Sequence, residues 1–185
     1  MLFRSYERLV QAESQNAEDP NLFLGQLLHD YGDLLGSQKK FEVAVEQYLK
    51  SLPIRRTNPD GSLTWTLRTL GSALIECSKP AEAERYLRES VDIHRTLHQR
   101  EDVYGTAWAT MRLADALAQL GKSPEAERSY RDALLAYRKC NATDSDEFHK
   151  AVKSLVALLK SEGKLPEAHA VLDEVSAQRQ HPSRE

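Results

Sequence analysis

The residues of this chain that could hold a metal ion or perform catalysis are few and lie far apart. His94 and His98 are four residues apart in a predicted helix, so they share one helix face, as two ligands of a zinc site do. No further histidine or glutamate stands at motif spacing, and Arg95 adjoins the pair. We therefore favour a partly exposed histidine pair near a helix end over a metal site.

The cysteines and the paired glutamates do not form a catalytic pattern either. Cys77 and Cys140 have no base partner evident in the sequence, and their number and spacing indicate neither a disulfide framework nor a metal motif. The paired glutamates are two residues apart, on different sides of a helix, where first-turn positions suit the helix dipole. They are Glu82, Glu84, Glu125 and Glu127. The sequence predicts no catalytic residue, no cofactor and no metal, hence a protein that is not an enzyme.

The charge balance and the hydropathy argue against two classes of partner. The 185-residue chain carries 25 basic and 28 acidic side chains, a formal net charge of -3, whereas phosphate-driven binding of nucleic acid requires a basic surface. No apolar run approaches the roughly 20 residues that span a bilayer, and the N-terminus lacks the apolar core of a signal peptide. We therefore expect a cytoplasmic protein that binds neither nucleic acid nor membrane.

One sequence pattern recurs four times and organises the chain. Its marker is an alanine near the start of a predicted helix, at Ala44, Ala83, Ala126 and Ala168, with spacings of 39, 43 and 42 residues. A large side chain follows four residues later, at Tyr48, Leu87, Tyr130 and Leu172. Twelve residues before each alanine stand Gly32, Gly71, Ala114 and Val156, which are small except in the fourth copy. Such self-similarity at a fixed period is typical of repeat architectures.

Each copy is predicted to form two helices joined by a tight turn. The turn signals are GSQKK, CSKP, GKSP and EGKLP, and in the third copy we expect Ser123 to be the N-cap before Pro124. A small residue on the first helix allows the alanine of the second helix to approach closely. Because one such hairpin cannot bury its apolar face alone, the units must stack into a solenoid.

This pattern resembles the tetratricopeptide repeat (TPR) family. The resemblance is carried by Leu70-Gly71 with Ala83 and Leu87, and by Leu113-Ala114 with Gly121, Ala126 and Tyr130. Tyr31-Gly32 with Phe41, Ala44 and Tyr48 matches as well. The period near 42 residues is similar to the longer repeats of kinesin light chains and related bacterial scaffolds. The resemblance implies an all-α, right-handed superhelical solenoid of antiparallel helix pairs, with about nine helices.

The repeats give the predicted domain boundaries. We expect an N-terminal helix at 1–18, repeats at 20–57, 62–99, 102–140 and 146–179, and a tail at 180–185. Tyr6 lies 42 residues before Tyr48, so the N-terminal helix is either a cap or the second helix of an incomplete repeat.

The resemblance also implies where a partner binds, because the first helices of tetratricopeptide repeats line a concave groove. Carried over position by position, the groove candidates are His29, Asp33, Trp65, Arg68, Ser72, Trp108, Met111, Arg112, Asp115, Lys150 and Lys153. Trp65 and Trp108 occupy the same register of adjacent repeats, so they are either anchors for a peptide or packing residues against the preceding repeat.

The charges of these candidates change along the predicted groove. Asp33 stands at one end, Arg68 and Arg112 in the middle, and Lys150 and Lys153 at the other end. This order either directs the acidic groups of an extended ligand toward the later repeats or is simply a set of solvated helix faces.

The sequence leaves two functions open. The favoured one is a non-enzymatic scaffold or adaptor that binds a peptide or helix of a partner protein in the groove. The alternative is a structural module that self-associates through the ends of its repeat array, since Val171 and Val175 on the last helix have no following helix to cover them.

Overall fold

The protein is built from helices throughout the part of the chain that the computed structural model describes, which is residues 2–16, 22–57, 61–96 and 102–180. The helices are α1 (Leu2–Asn16), α2 (Leu22–Ser37), α3 (Phe41–Arg56), α4 (Gly61–Glu76), α5 (Pro80–Thr96), α6 (Val103–Gln119), α7 (Ser123–Lys139), α8 (Asp146–Ser161) and α9 (Leu165–Gln180). This confirms the prediction of an all-α fold of helix pairs. His98, the linker at 17–20 and residues 181–185 of the predicted tail lie outside the described residues.

Two compact units divide the chain, Met1–Gln99 and Arg100–Glu185. In the first unit each helix from α1 to α5 packs on the next, and α2 also contacts α4. In the second unit α6 to α9 pack in the same order, and α6 also contacts α8. The first helices of neighbouring repeats therefore lie side by side within each unit, and the second helices cover them.

The same backbone turn joins the two helices of every repeat. The backbone N–H of Lys40, Lys79, Lys122 and Lys164 donates to the carbonyl of Leu35, Leu74, Leu117 and Leu159, respectively. The residue before each lysine has a positive φ, at Lys39, Ser78, Gly121 and Gly163. This is the Schellman arrangement that ends a helix through one left-handed residue. The last two turns use glycine, which adopts this conformation without strain.

The marker alanines follow directly from these turns. Each alanine N–H donates to the carbonyl of the turn lysine, and all four alanines are fully buried. Lys122 rather than Ser123 is the N-cap of α7, so the expectation for Ser123 was wrong by one residue.

The small residues of the first helices allow close approach of the second helices. A Cβ atom on Gly32 would lie 2.5 Å from Cε1 of Tyr48, and one on Gly71 would lie 2.5 Å from Cγ of Leu87. These distances are too short for real contacts, so only glycine fits at both positions while the facing side chain stays in place. Close packing of the two helices therefore explains the small residue of the pattern in two of the four units.

The first unit begins with a helix that covers the first repeat. α1 packs on α2, where the rings of Tyr6 and Tyr31 stack with centroids 6.1 Å apart and planes 8° apart. The Tyr31 hydroxyl also donates to Glu7 at 3.1 Å. These contacts are the same for a cap and for the second helix of an incomplete repeat, so both interpretations of α1 stay open.

The second unit ends with a helix that is covered on one side. Leu172 on α9 is 40% exposed, whereas Tyr48, Leu87 and Tyr130 at the same register are at most 4% exposed. The Lys164 ammonium reaches back to Glu127 of α7 at 2.7 Å, so an ion pair joins the last turn to the preceding repeat. None of the described helices has the length and hydropathy needed to cross a membrane.

Candidate functional site

The predicted groove residues of the first unit lie on α2 and α4 but differ in exposure. Asp33 and Trp65 reach solvent, with 39% of the Asp33 side chain and 37% of Trp65 exposed. Arg68 and Ser72 are half-buried on α4. His29 is fully buried, so it lies beneath this surface and does not form part of it.

The buried His29 ring is the centre of a polar and aromatic cluster. Its centroid lies 4.4 Å from the Trp65 ring and 5.4 Å from the Tyr48 ring. Its Nδ1 is hydrogen-bonded to Oγ1 of Thr66 at 3.1 Å, and its Nε2 lies 3.4 Å from Oδ2 of Asp33. The ring is thus hydrogen-bonded at Nδ1 only, its Nε2 faces the Asp33 carboxylate without a hydrogen bond, and it packs against the ring of the exposed Trp65.

This arrangement places a hydroxyl, an imidazole and a carboxylate in the order of a nucleophile, a base and an orienting group. Thr66 and His29 are both fully buried, however, and the Thr66 hydroxyl lies 3.1 Å from the Ser62 carbonyl, to which it donates. A substrate cannot reach a hydroxyl in this position. The geometry therefore supports a structural role for the cluster.

The Asp33 carboxylate is held in its charged form. Burial opposes its ionisation, but the His29 ring, the Tyr48 hydroxyl and the charge of Arg68 together hold the pKa of Asp33 below its ordinary value. The Tyr48 hydroxyl donates to Oδ1 of Asp33 at 2.6 Å. One oxygen of the Asp33 carboxylate is thereby fixed by a hydrogen bond from the second helix of the same repeat.

The second unit repeats the tyrosine–aspartate contact at the same register. The Tyr130 hydroxyl donates to Oδ1 of Asp115 at 2.7 Å, and Nη1 of Arg112 donates to Oδ2 at 2.8 Å. The side chains of Arg112 and Asp115 are only 5% and 13% exposed. Arg112, which we expected in the groove, is therefore engaged in an internal ion pair.

The remaining candidates of the second unit fall into two groups. Met111 is 1% exposed and belongs to the core, so it is not available to a partner. Trp108 is half-buried on α6, and Lys150 and Lys153 are exposed on α8. Trp108 and Lys150 are 42 residues apart, the spacing of these two repeats, so they occupy the same register on adjacent first helices.

Sequence reasoning did not identify the tyrosines as partners of the site carboxylates. Tyr48 and Tyr130 were recognised only as large packing residues, although each stands 15 residues after the aspartate that accepts its hydrogen bond. The second repeat has Ser72 and Leu87 at these two positions, so the pair is absent there. The recurrence of Asp and Tyr together in two of four copies was the signal that could have revealed the contact.

The expectation of a partly exposed histidine pair is wrong for His94, the member of the pair that the structure describes. His94 is 5% exposed on α5, so it is a core residue and not a partly exposed one. Within the described residues no group of three His, Cys, Asp or Glu side chains is placed to hold a metal ion. Cys77 and Cys140 are both free and half-buried, and burial raises the pKa of the Cys77 thiol, which disfavours the reactive thiolate.

The raised pKa values of the buried tyrosines predict that the protein loses stability at alkaline pH. Burial raises the pKa of Tyr48, Tyr130 and Tyr137 well above the ordinary value, and the carboxylates beside the first two raise it further. Tyr31 is raised to about 12. A raised pKa in the folded state contributes stability that is complete below the unfolded value of about 10 and is lost as the pH rises above it. We expect helicity, measured by circular dichroism, to fall together with the rise in tyrosinate absorbance above about pH 10.

Tyr137 offers the matched variant for this test. Its hydroxyl is buried without a hydrogen-bond partner among the described residues, and its ring packs edge-on against Tyr104 and Phe148. Tyr137→Phe keeps the ring and removes one buried ionisation, so it should shift the alkaline transition to higher pH. Tyrosine titration near pH 10 without any loss of helicity would contradict the prediction.

Comparisons with known proteins agree with this geometry. Residues 59–139 match the family model of the tetratricopeptide repeat. A putative kinesin light chain from Podosopora anserina with nearly identical TPR-like repeats has a solved structure of TM-score 0.78 at 17% identity, covering 99% of this chain and 88% of that one. BtubC (BKLC) from P. vanneervenii gives a TM-score of 0.79 at 19% identity, covering 99% of this chain and 77% of that one.

A third similar structure was solved with a ligand. It is a Rap protein complexed with Competence and Sporulation Factor, with a TM-score of 0.72 at 18% identity, covering 97% of this chain and 48% of that one. At these identities the three structures show a shared fold. A comparison with curated protein sequences finds no match.

Proposed function

Because residues 59–139 belong to the tetratricopeptide repeat family, we propose that this chain is a scaffold module that binds a peptide or helix of a partner protein. The observation that carries the proposal is Trp65, a large aromatic side chain that is 37% exposed on a first helix and supported from below by the buried His29 ring. Exposed aromatic rings held in a fixed position are the usual anchors of protein interfaces.

The buried His29 ring beneath Trp65 favours binding because it lowers the loss of side-chain entropy when a partner binds. His29 is fully buried and hydrogen-bonded to Thr66, so the indole rests against a surface that is already ordered. A side chain that is fixed before binding loses less rotamer freedom in the complex. The charged Asp33, which lies near the same His29 ring, adds a polar group that orients a ligand.

The proposed contact residues are the candidates that reach the surface. They are Asp33, Trp65, Arg68 and Ser72 in the first unit and Trp108, Lys150 and Lys153 in the second. His29 packs beneath Trp65, and Met111, Arg112 and Asp115 are largely buried. A Rap protein of the same fold was solved with Competence and Sporulation Factor, which supports ligand binding as a use of this architecture.

We expect Trp65→Ala and Trp108→Ala each to weaken partner binding by about tenfold, because anchor truncations cost 1–2 kcal/mol or more. The partner is captured from a lysate of the native organism and then titrated against purified variants by calorimetry. Leu49→Ala on α3 and Leu135→Ala on α7 are matched controls, since both leucines are exposed on second helices. A large fall in melting temperature with unchanged binding would assign the tryptophans to the core instead.

The proposal includes a location and the absence of catalysis. The chain has two cysteines, both free, which fits a reduced cytoplasmic setting. Thr66, His29 and Asp33 resemble a catalytic relay in their order, but the Thr66 hydroxyl is fully buried. Binding without turnover is therefore the function that this chemistry supports.

The exposed face of α9 favours a second candidate, self-association. Leu165 and Leu172 are 51% and 40% exposed on this helix, although the register of Leu172 is buried in every earlier repeat. Two copies that cover this face with each other would form a dimer. Light scattering across a range of protein concentrations separates the candidates, because a strictly monomeric protein that still binds its partner excludes this one.

A further inference from the structure

We propose that His29 is a proton switch beneath Trp65, and that uptake of one proton at its Nε2 withdraws the Asp33 carboxylate from the partner surface. This inference rests on the proposed function and names a way in which binding at the same site is regulated. The observation behind it is the contact between Nε2 of His29 and Oδ2 of Asp33, which lie 3.4 Å apart.

The first step is that the hydrogen bonds around His29 determine which nitrogen bears the hydrogen of the neutral ring. The Thr66 hydroxyl has one hydrogen atom, which it donates to the Ser62 carbonyl at 3.1 Å. Its oxygen is therefore the acceptor for Nδ1 of His29, 3.1 Å away, and Nδ1 carries the hydrogen. Nε2 is then a bare lone pair, buried without a hydrogen-bond partner in the part of the chain that the structure describes.

The second step is that the neutral ring presents this lone pair to a carboxylate. Nε2 of His29 and Oδ2 of Asp33 are then both acceptors, so no hydrogen bond forms between them. A proton on Nε2 converts the contact into a charge-assisted hydrogen bond, which is usually about 2.7–2.9 Å long. The two residues are four apart on α2, so a small side-chain rotation closes the remaining gap.

The groups that face His29 act in both directions. Asp33 on the same helix favours a positive ring, whereas burial and the charge of Arg68 on α4, which acts on the same carboxylate, oppose it. From α3 comes Tyr48, whose pKa is raised well above its ordinary value, so its hydroxyl stays neutral at neutral and acid pH. The described side-chain contacts of α1 go to Tyr31, two residues further along α2 and on another side of that helix.

The consequence reaches the surface through Asp33 and Trp65. The pKa of Asp33 is held below its ordinary value, so its carboxylate stays ionised between pH 8 and pH 5, the range in which histidine side chains change charge. Oδ1 accepts the Tyr48 hydrogen bond, so Oδ2 is the oxygen left for a partner. A protonated His29 takes Oδ2 as well, and it places a positive charge against the Trp65 ring, whose centroid is 4.4 Å away. A partner that donates a hydrogen bond to Asp33 therefore binds more weakly at acid pH.

The test follows the switch by the fluorescence of Trp65 in the full chain. Trp108→Phe leaves Trp65 as the one tryptophan of the sequence. An imidazolium in contact with an indole quenches its emission by accepting an electron from the excited ring, which a neutral imidazole does not do. We expect the emission to fall along a single-proton curve between pH 8 and pH 5, while circular dichroism shows that helicity is retained.

Two carboxylate variants assign the proton to the contact with Asp33. Asp33→Asn should move the midpoint of the curve about one pH unit lower, because it removes the negative charge that stabilises the protonated ring. Asp30→Asn is the matched control, since it removes the same charge from α2 at a carboxylate that accepts from Gln26 at 2.6 Å. It should move the midpoint by roughly a third of a unit or less. Constant emission of a folded protein, or an unchanged midpoint in Asp33→Asn, would overturn the inference.

Calorimetry with the captured partner at pH 7.5 and pH 5.5 tests the regulation. We expect the affinity to fall about tenfold at the lower pH, the effect of losing one hydrogen bond to a charged group, and Asp33→Asn to remove this difference. An affinity that is the same at both pH values refutes the regulation and leaves the proposed function standing. Unchanged affinity in Trp65→Ala would contradict the proposed function, whereas the fluorescence titration tests the switch by itself.

Discussion

We expect Asp115→Ala to lower the free energy of unfolding by about 3 kcal/mol, and Asp33→Ala to lower it by only about 1 kcal/mol. The two aspartates occupy the same register and accept the same tyrosine hydrogen bond, but their surroundings differ. The Asp115 side chain is 13% exposed and pairs with Arg112, which is 5% exposed. Removal of Asp115 leaves a buried guanidinium without its counter-ion.

The smaller effect at Asp33 follows from its exposure. Its side chain is 39% exposed, so water can replace part of what the protein loses when the carboxylate is removed. The Tyr48 hydroxyl loses its acceptor in Asp33→Ala, as the Tyr130 hydroxyl does in Asp115→Ala. The larger expected loss in Asp115→Ala therefore reflects the buried ion pair between Asp115 and Arg112.

Urea denaturation followed by circular dichroism measures both changes. The double variant Asp115→Ala with Arg112→Leu removes the buried charge together with its partner, so it should recover much of the lost stability. Equal losses for Asp115→Ala and Asp33→Ala, or no recovery in the double variant, would show that the ion pair does not stabilise the second unit.

We expect Gly32→Ala to lower the free energy of unfolding by about 2 kcal/mol, and Gly36→Ala, one turn further along the same helix, to raise it by about 0.5 kcal/mol. A Cβ atom on Gly32 would lie 2.5 Å from Cε1 of Tyr48, inside contact distance. Tyr48 is 4% exposed and its hydroxyl is tied to Asp33 at 2.6 Å, so its ring has little room to move.

Gly36 is the matched control because it faces the same tyrosine without a clash. A Cβ atom there would lie 3.8 Å from the Tyr48 hydroxyl oxygen, which is an ordinary contact. Alanine in a helix is favoured over glycine, since it loses less backbone entropy on folding. Thermal and urea unfolding of both variants gives the sign of each change, and a stabilised Gly32→Ala would refute the close-packing account of the repeat.

Much of the fold followed from the sequence because its signals are local and repeated. The marker alanines, the large residues four positions later and the turn motifs recur through four copies, and each copy needs only its own residues to form a helix pair. The predicted N-cap of α7, Ser123, was wrong by one residue. At this helix end the backbone turn, and not a capping side chain, determines where the helix starts. The resemblance to the tetratricopeptide repeat rested on the same residues.

The candidate site was less predictable because exposure is not a property of one helix. His29 and Asp33 are four residues apart on the same face of α2, yet one is fully buried and the other half-exposed. The difference arises because the rings of Tyr48 and Trp65, from two other helices, lie against His29. A register alignment places residues on a face but does not show what covers them.

Trp65 is the groove candidate for which sequence and structure agree best. Its register indicated a groove position, and the structure adds that its ring is 37% exposed and supported by a buried imidazole. Whether such a ring binds a partner is the prediction that the alanine variants test.

The sequence by itself determined that this chain is a series of helix pairs, because periodicity, small-to-large packing pairs and turn residues all act over fewer than twenty positions. Only the tertiary structure decided which polar side chains face solvent. Arg112 pairs with Asp115 inside the second unit, while Lys150 and Lys153 stay exposed. The physical reason is that a charge is stabilised either by a partner or by water, and that choice depends on neighbours that the chain acquires only when its helices pack.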